Sequence, residues 1–127
     1  MIFSASLPPP LVASVSAALD IIEEHPELRA RLWGNTRKML KGFKALGFDT
    51  GASETPIIPV VIKDTMKTYE MCRLLFENGV FVNAVISPAV AQGRELLRTS
   101  YMATHTEDQL DRVLAAFENV GRQMGVI

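Results

Sequence analysis

The chain has 127 residues, 48% of them hydrophobic and 21% charged, and a formal net charge of −1. That is material for one core burying roughly two-thirds of the unfolded surface, and the near-neutral balance gives no electrostatic case for nucleic acid or an anionic membrane. One cysteine and two distant histidines, His25 and His105, exclude an internal disulfide framework and offer no metal-ligand spacing.

No apolar run approaches the ~20 residues needed to span a bilayer, and the N-terminus lacks a charged signal-peptide start, so a cytoplasmic setting is expected. Residues 1–10, stiffened by Pro8, Pro9 and Pro10, read as an extended lead-in from a larger, missing domain. From Leu11 to about Glu24, apolar residues at Leu11, Val12, Val15, Ala18, Leu19 and Ile22 mark one face of a helix. His25-Pro26 interrupts it. Pro26 suits the first position of a second helix, whose stripe of Leu28, Leu32, Met39, Phe43 and Leu46 stops at Gly47. Residues 11–46 thus form two helices linking to a small α+β domain over 47–127. The second helix also carries Arg29, Arg31, Arg37, Lys38, Lys41 and Lys44, read as a solvated outer face.

Beyond a polar turn, Ile57 to Ile62 reads as a strand, and Pro59, which has no N–H to donate, puts it at a sheet edge or at an irregularity. Asp64 or Thr65 caps a third helix with Tyr69, Cys72, Leu75 and Phe76 facing inward, ended by Gly79. Cys72 on that face is a small core residue rather than a nucleophile. Val80 to Val82 is a short strand leading into the loop Ile86 to Val90, and Glu95 to Met102 is the third strand. Thr106 with Gln109 forms a capping box for a last helix carrying Leu110, Val113, Leu114, Phe117, Val120 and Met124. The order α-α-β-α-β-β-α describes an α+β fold: a small antiparallel or mixed three-stranded sheet with helices packed on one face.

Within the third strand, alternation puts Leu96, Arg98, Ser100 and Met102 on one face and Leu97, Thr99 and Tyr101 on the other. A guanidinium at mid-strand is costly to desolvate unless an anion meets it, and its planar fork matches a carboxylate. If Leu97 and Tyr101 face the helices, Arg98 points off the opposite side, toward a carboxylate-bearing ligand, a partner, or simply solvent. His105, just before the N-cap, is read as holding the helix entry by packing or a backbone hydrogen bond. Lys63 and Lys67 flank a helix start and read as exposed, which argues against a desolvated Schiff-base lysine. The glycines form no phosphate-binding loop pattern.

Several motifs together resemble the C-terminal part of the α-oxoamine synthases, pyridoxal-phosphate enzymes of the aspartate-aminotransferase fold type I. They are Phe3-Ser4-Ala5-Ser6-Leu7-Pro8-Pro9, Arg31-Leu32-Trp33-Gly34-Asn35-Thr36-Arg37, Thr55-Pro56-Ile57-Ile58-Pro59-Val60, Gly79-Val80-Phe81-Val82-Asn83, Leu97-Arg98-Thr99-Ser100 and His105-Thr106. Within that family the second-helix motif and the ending Gly121 to Ile127 are most similar to glycine C-acetyltransferase, also called 2-amino-3-ketobutyrate CoA ligase, with 8-amino-7-oxononanoate synthase and serine palmitoyltransferase as near rivals. The resemblance implies a dimeric C-acyltransferase that condenses an amino acid with an acyl-CoA by decarboxylative Claisen chemistry, with pyridoxal 5'-phosphate as electron sink. It implies that Arg98 holds the amino-acid carboxylate and that Ser4 reaches the cofactor phosphate of the neighbouring subunit. The family's cofactor-bearing lysine lies upstream of Phe3-Ser4, so the chain is expected to lack a catalytic residue, to depend on a large catalytic domain, and to be inactive alone. Ala91 stands where the family usually has a second proline in the loop after Ser87-Pro88. A non-catalytic amino-acid-binding regulatory module is the competing reading, because residues 56 to 127 alone run β-α-β-β-α.

Overall fold

The computed structural model describes residues 6–127. Four helices and three strands are formed among them: α1 (Pro9–Glu24), α2 (Pro26–Leu46), β1 (Ile57–Val61), α3 (Thr65–Glu77), β2 (Asn83–Val85), β3 (Leu96–Ser100) and α4 (Glu107–Gln123). The sheet is wholly antiparallel in the order β1-β3-β2, which makes β3 the central strand.

The local signals explain most boundaries. Pro26 opens α2, and Gly47 closes it at φ 97°, a left-handed turn that glycine adopts without a Cβ penalty. Asp64 caps α3 by accepting from the Lys67 N–H at 2.7 Å. Both halves of the Thr106–Gln109 capping box form at α4. Tyr101 N–H donates to the Pro56 carbonyl at 3.1 Å, so in this antiparallel ladder Pro56, Ile58 and Val60 bond toward β3 while Ile57, Pro59 and Val61 turn outward. Pro59 therefore sits at an edge where its missing N–H breaks no ladder bond.

On the helix side of the sheet, Ile58, Val60 and Leu97 meet Met39 and Phe43 of α2, Met71 and Leu75 of α3, and Leu110, Phe117 and Val120 of α4. Phe43 and Phe117 pack edge to face at 4.9 Å, and Phe48 closes the trio at 6.0 and 5.8 Å from them. Thr36 lies on the buried stripe of α2, its hydroxyl satisfied by the Leu32 carbonyl at 2.7 Å. Gly121 lets α4 approach this cluster: a Cβ there would stand 2.6 Å from the Phe48 ring edge. Gly121→Ala should therefore destabilise the fold by about 1–3 kcal/mol despite alanine's better helix propensity; a denaturation midpoint at or above that of the parent would refute this.

Four expectations need correction. Helix α1 starts at Pro9 and buries no residue, so its apolar face is left uncovered among the described residues. Inward from α3 come Thr68, Met71 and Leu75, whereas Tyr69 and Phe76 are exposed and Cys72 is half-buried; contact with the sheet selects a stripe rotated from the aromatic one. β3 ends at Ser100 rather than Met102. Val80 to Val82 is not a strand: Gly79 and Val80 N–H groups bond back to Phe76 and Leu75 carbonyls, and the Cys72 thiol donates to the Val82 carbonyl at 3.4 Å. That backbone is committed to α3, and β2 begins only at Asn83.

Candidate functional site

Arg98 stands on the outer face of β3, exposed, with Leu97 and Thr99 buried on either side. Its pairing partners across the sheet are Pro59 and Asn83, neither of them acidic. Among the described residues no carboxylate forms an ion pair with its guanidinium and no side-chain hydrogen bond reaches it. The forked donor is therefore unengaged among the described residues.

The late start of β2 shapes what lies beside it. Arg98, Ser100 and Met102 turn their N–H and C=O groups toward the β2 side, and the last pair there is Asn83 with Arg98. Beyond it the ladder opens into a cleft of about 460 Å³ between Gly79 to Asn83, Arg98 to Met102 and the start of α4. Phe81 and Met102 are exposed at its rim. Tyr101 also lines it, with a buried hydroxyl that has no hydrogen-bond partner among the described residues. Burial pushes this phenol well above its ordinary range, the neighbouring Thr99 side chain working the other way, so it stays neutral.

His105 borders the same cleft and is engaged structurally: its Nδ1 accepts from the Met102 N–H at 3.2 Å, and its ring lies edge-on to Tyr101 at 6.2 Å. Ser4 lies outside the described residues. Lys63 and Lys67 are exposed, Lys63 facing Asp49 at 3.5 Å. Of the basic set on α2, Lys38 bridges to Asp111 of α4 at 2.7 Å while the others lie exposed.

Two residues make contacts that their place in the sequence does not signal. Asn35 of α2 donates to the carbonyls of Met102 at 2.9 Å and His105 at 3.1 Å. Glu95, 1% exposed, accepts from the Thr65 hydroxyl and the Gly93 N–H, both at 3.2 Å, tying the loop before β3 to the start of α3. Each depends on a contact thirty or more positions away, which no spacing rule reports.

Comparison with known proteins agrees with this architecture. The chain is 44% identical over 126 residues to the 8-amino-7-oxononanoate synthase of Symbiobacterium thermophilum, covering 99% of this chain and 32% of that protein. It is 48% identical over 115 residues to the serine palmitoyltransferase of Bacteriovorax stolpii, covering 91% and 27% respectively. Both relatives are α-oxoamine synthases. A solved serine palmitoyltransferase variant from S. paucimobilis, bound to PLP and myriocin, superposes with a TM-score of 0.91 at 39% identity, covering 98% of this chain and 32% of that one. The fold is thus that of the small C-terminal domain of fold type I enzymes, and the chain spans about a third of the length of the relatives it matches. The family model described as aminotransferase class I and II matches residues 1–117, and the chain belongs to that family.

Proposed function

We propose that this chain is the small domain of a pyridoxal-phosphate-dependent C-acyltransferase that condenses an amino acid with an acyl-CoA, and that Arg98 seats the amino-acid carboxylate. The observation that carries the reading is the exposed, unpaired guanidinium on the outer sheet face, beside an apolar cleft, in a chain whose relatives are α-oxoamine synthases. Of the names its motifs resemble, glycine C-acetyltransferase remains the finer proposal, with a homodimer and a large catalytic domain completing the site.

Arg98 does its work by position. A bidentate grip on the carboxylate fixes two atoms of the substrate and so the direction of the bonds at its Cα, which converts a loose encounter into an oriented one. β3 supplies the rigidity, because Arg98 is hydrogen-bonded within the sheet while Leu97 and Thr99 anchor it from below. Phe81 and Met102 present apolar surface at the cleft rim, which limits water around the bound group. Pyridoxal phosphate, when bound in the whole enzyme, supplies the electron sink for the Cα carbanion. In this reading Arg98, on the wall of the cleft, is the substrate's seat, and the cofactor's seat belongs to the large catalytic domain. Ser4 is the proposed contact to the cofactor phosphate of the neighbouring subunit.

The regulatory-module reading is less favoured, because Met39 and Phe43 of α2 are fully buried in the core and a β-α-β-β-α unit alone would leave that core open. The division of labour is tested directly by borohydride reduction of the 127-residue chain mixed with pyridoxal phosphate, followed by peptide mass spectrometry. The expected result is scattered, substoichiometric labelling of surface lysines. One lysine modified in good yield would overturn the assignment of the cofactor's seat to another part of the enzyme.

A further inference from the structure

We infer that Asn35 is a positioning residue for the Arg98 site, standing in for the missing part of the β2–β3 ladder; this rests on the carboxylate reading of Arg98. The register extrapolates from Asn83–Arg98 to Phe81 opposite Ser100 and Gly79 opposite Met102. Gly79 instead gives its N–H to Phe76 at 2.9 Å. The carbonyl of Met102, left without that strand partner, is taken by the Asn35 amide at 2.9 Å, and the same amide nitrogen donates to the His105 carbonyl at 3.1 Å.

His105 completes the arrangement by accepting the Met102 N–H on Nδ1. Both backbone polar groups of Met102 thus meet side chains, one from α2 and one from the corner into α4, and the carbonyl also accepts the His105 N–H at 3.3 Å. On its other side the strand end is held to β1 through Tyr101 N–H and the Pro56 carbonyl. Without Asn35, the open edge of the stretch from Thr99 to Met102 would be held only by its local turn with His105, with no bond to another element on that side. That stretch is at once a wall of the cleft and the continuation of the strand that aims Arg98, so its fraying would move both. Two donated hydrogen bonds to carbonyls require an amide: a carboxylate of the same shape would face the two oxygens with like charge.

The test uses Asn35→Ala and Asn35→Asp. In the 127-residue chain, backbone hydrogen exchange at Tyr101 and Met102 should accelerate on the order of tenfold while Leu97 and Phe117 keep their rates, and the aspartate variant should exceed the alanine one. Unchanged exchange at Tyr101 and Met102, equal acceleration at all four positions, or an aspartate variant that behaves as the parent would each overturn the inference. In the full-length enzyme, Asn35→Ala should raise KM for the amino acid on the order of tenfold with kcat and KM for the acyl-CoA little changed; a lower kcat with all KM values unchanged would overturn the positioning role. The exchange arm involves no ligand, so failure of the carboxylate reading, seen as an Arg98→Ala enzyme with unaltered KM, is told apart from failure of the clasp.

Discussion

Replacing Arg98 by alanine in the full-length enzyme is expected to lower kcat/KM for the amino acid by about 30- to 150-fold, which corresponds to about 2–3 kcal/mol of charge-assisted hydrogen bonding. The loss should fall on the amino acid and leave KM for the acyl-CoA within about twofold, because the guanidinium meets only the carboxylate in this reading. Arg98→Lys separates geometry from charge: a lysine keeps the cation but offers no planar fork, so it should recover only part of the loss. Stability should hardly move in either variant. Arg98 is exposed, its side chain has no described partner, and its removal leaves no buried group unsatisfied. Unchanged kinetics in both variants would remove the assigned role and return Arg98 to a solvated strand residue.

The largest expected effect on stability belongs to Phe117→Ala. Phe117 is fully buried and touches the edges of both Phe43, at 4.9 Å, and Phe48, at 5.8 Å. Truncation removes its transfer free energy and leaves a cavity between α2 and α4 that two rigid rings cannot close, a combination that costs about 3–5 kcal/mol. For a domain of ordinary marginal stability that is a large share of the total. Phe117→Leu, which keeps part of the volume, should cost distinctly less, and chemical denaturation of the two variants measures the difference. A loss below about 1 kcal/mol for the alanine variant would mean that the core is not organised around this trio.

Much of this molecule is local in origin. The proline that opens α2, the glycine that closes it, the Thr106–Gln109 box and the apolar spacing of α4 act over three or four residues, so they are legible without any fold. The same holds for the face of Arg98: strand alternation alone separates it from Leu97 and Thr99, and the motifs around it resemble those of the α-oxoamine synthases. What the chain alone could not reveal depends on contacts distant in sequence. Whether Tyr69 or Met71 faces the core is decided by where α3 lands on the sheet, since both lie on an apolar arc. Val80 to Val82 has strand composition, yet α3 takes its backbone groups first, and the cleft exists only because of that competition. Asn35 lies within the second-helix motif, but its contacts are not legible there; only the packing of α2 against the corner between β3 and α4 brings its amide to two carbonyls sixty-seven and seventy residues away. Sequence determined the helices, β1, β3 and the cation, because propensity, capping and alternation are local. Tertiary structure decided the shape of the site, because an open ladder and the amide that closes it are properties of neighbours that the chain order does not adjoin.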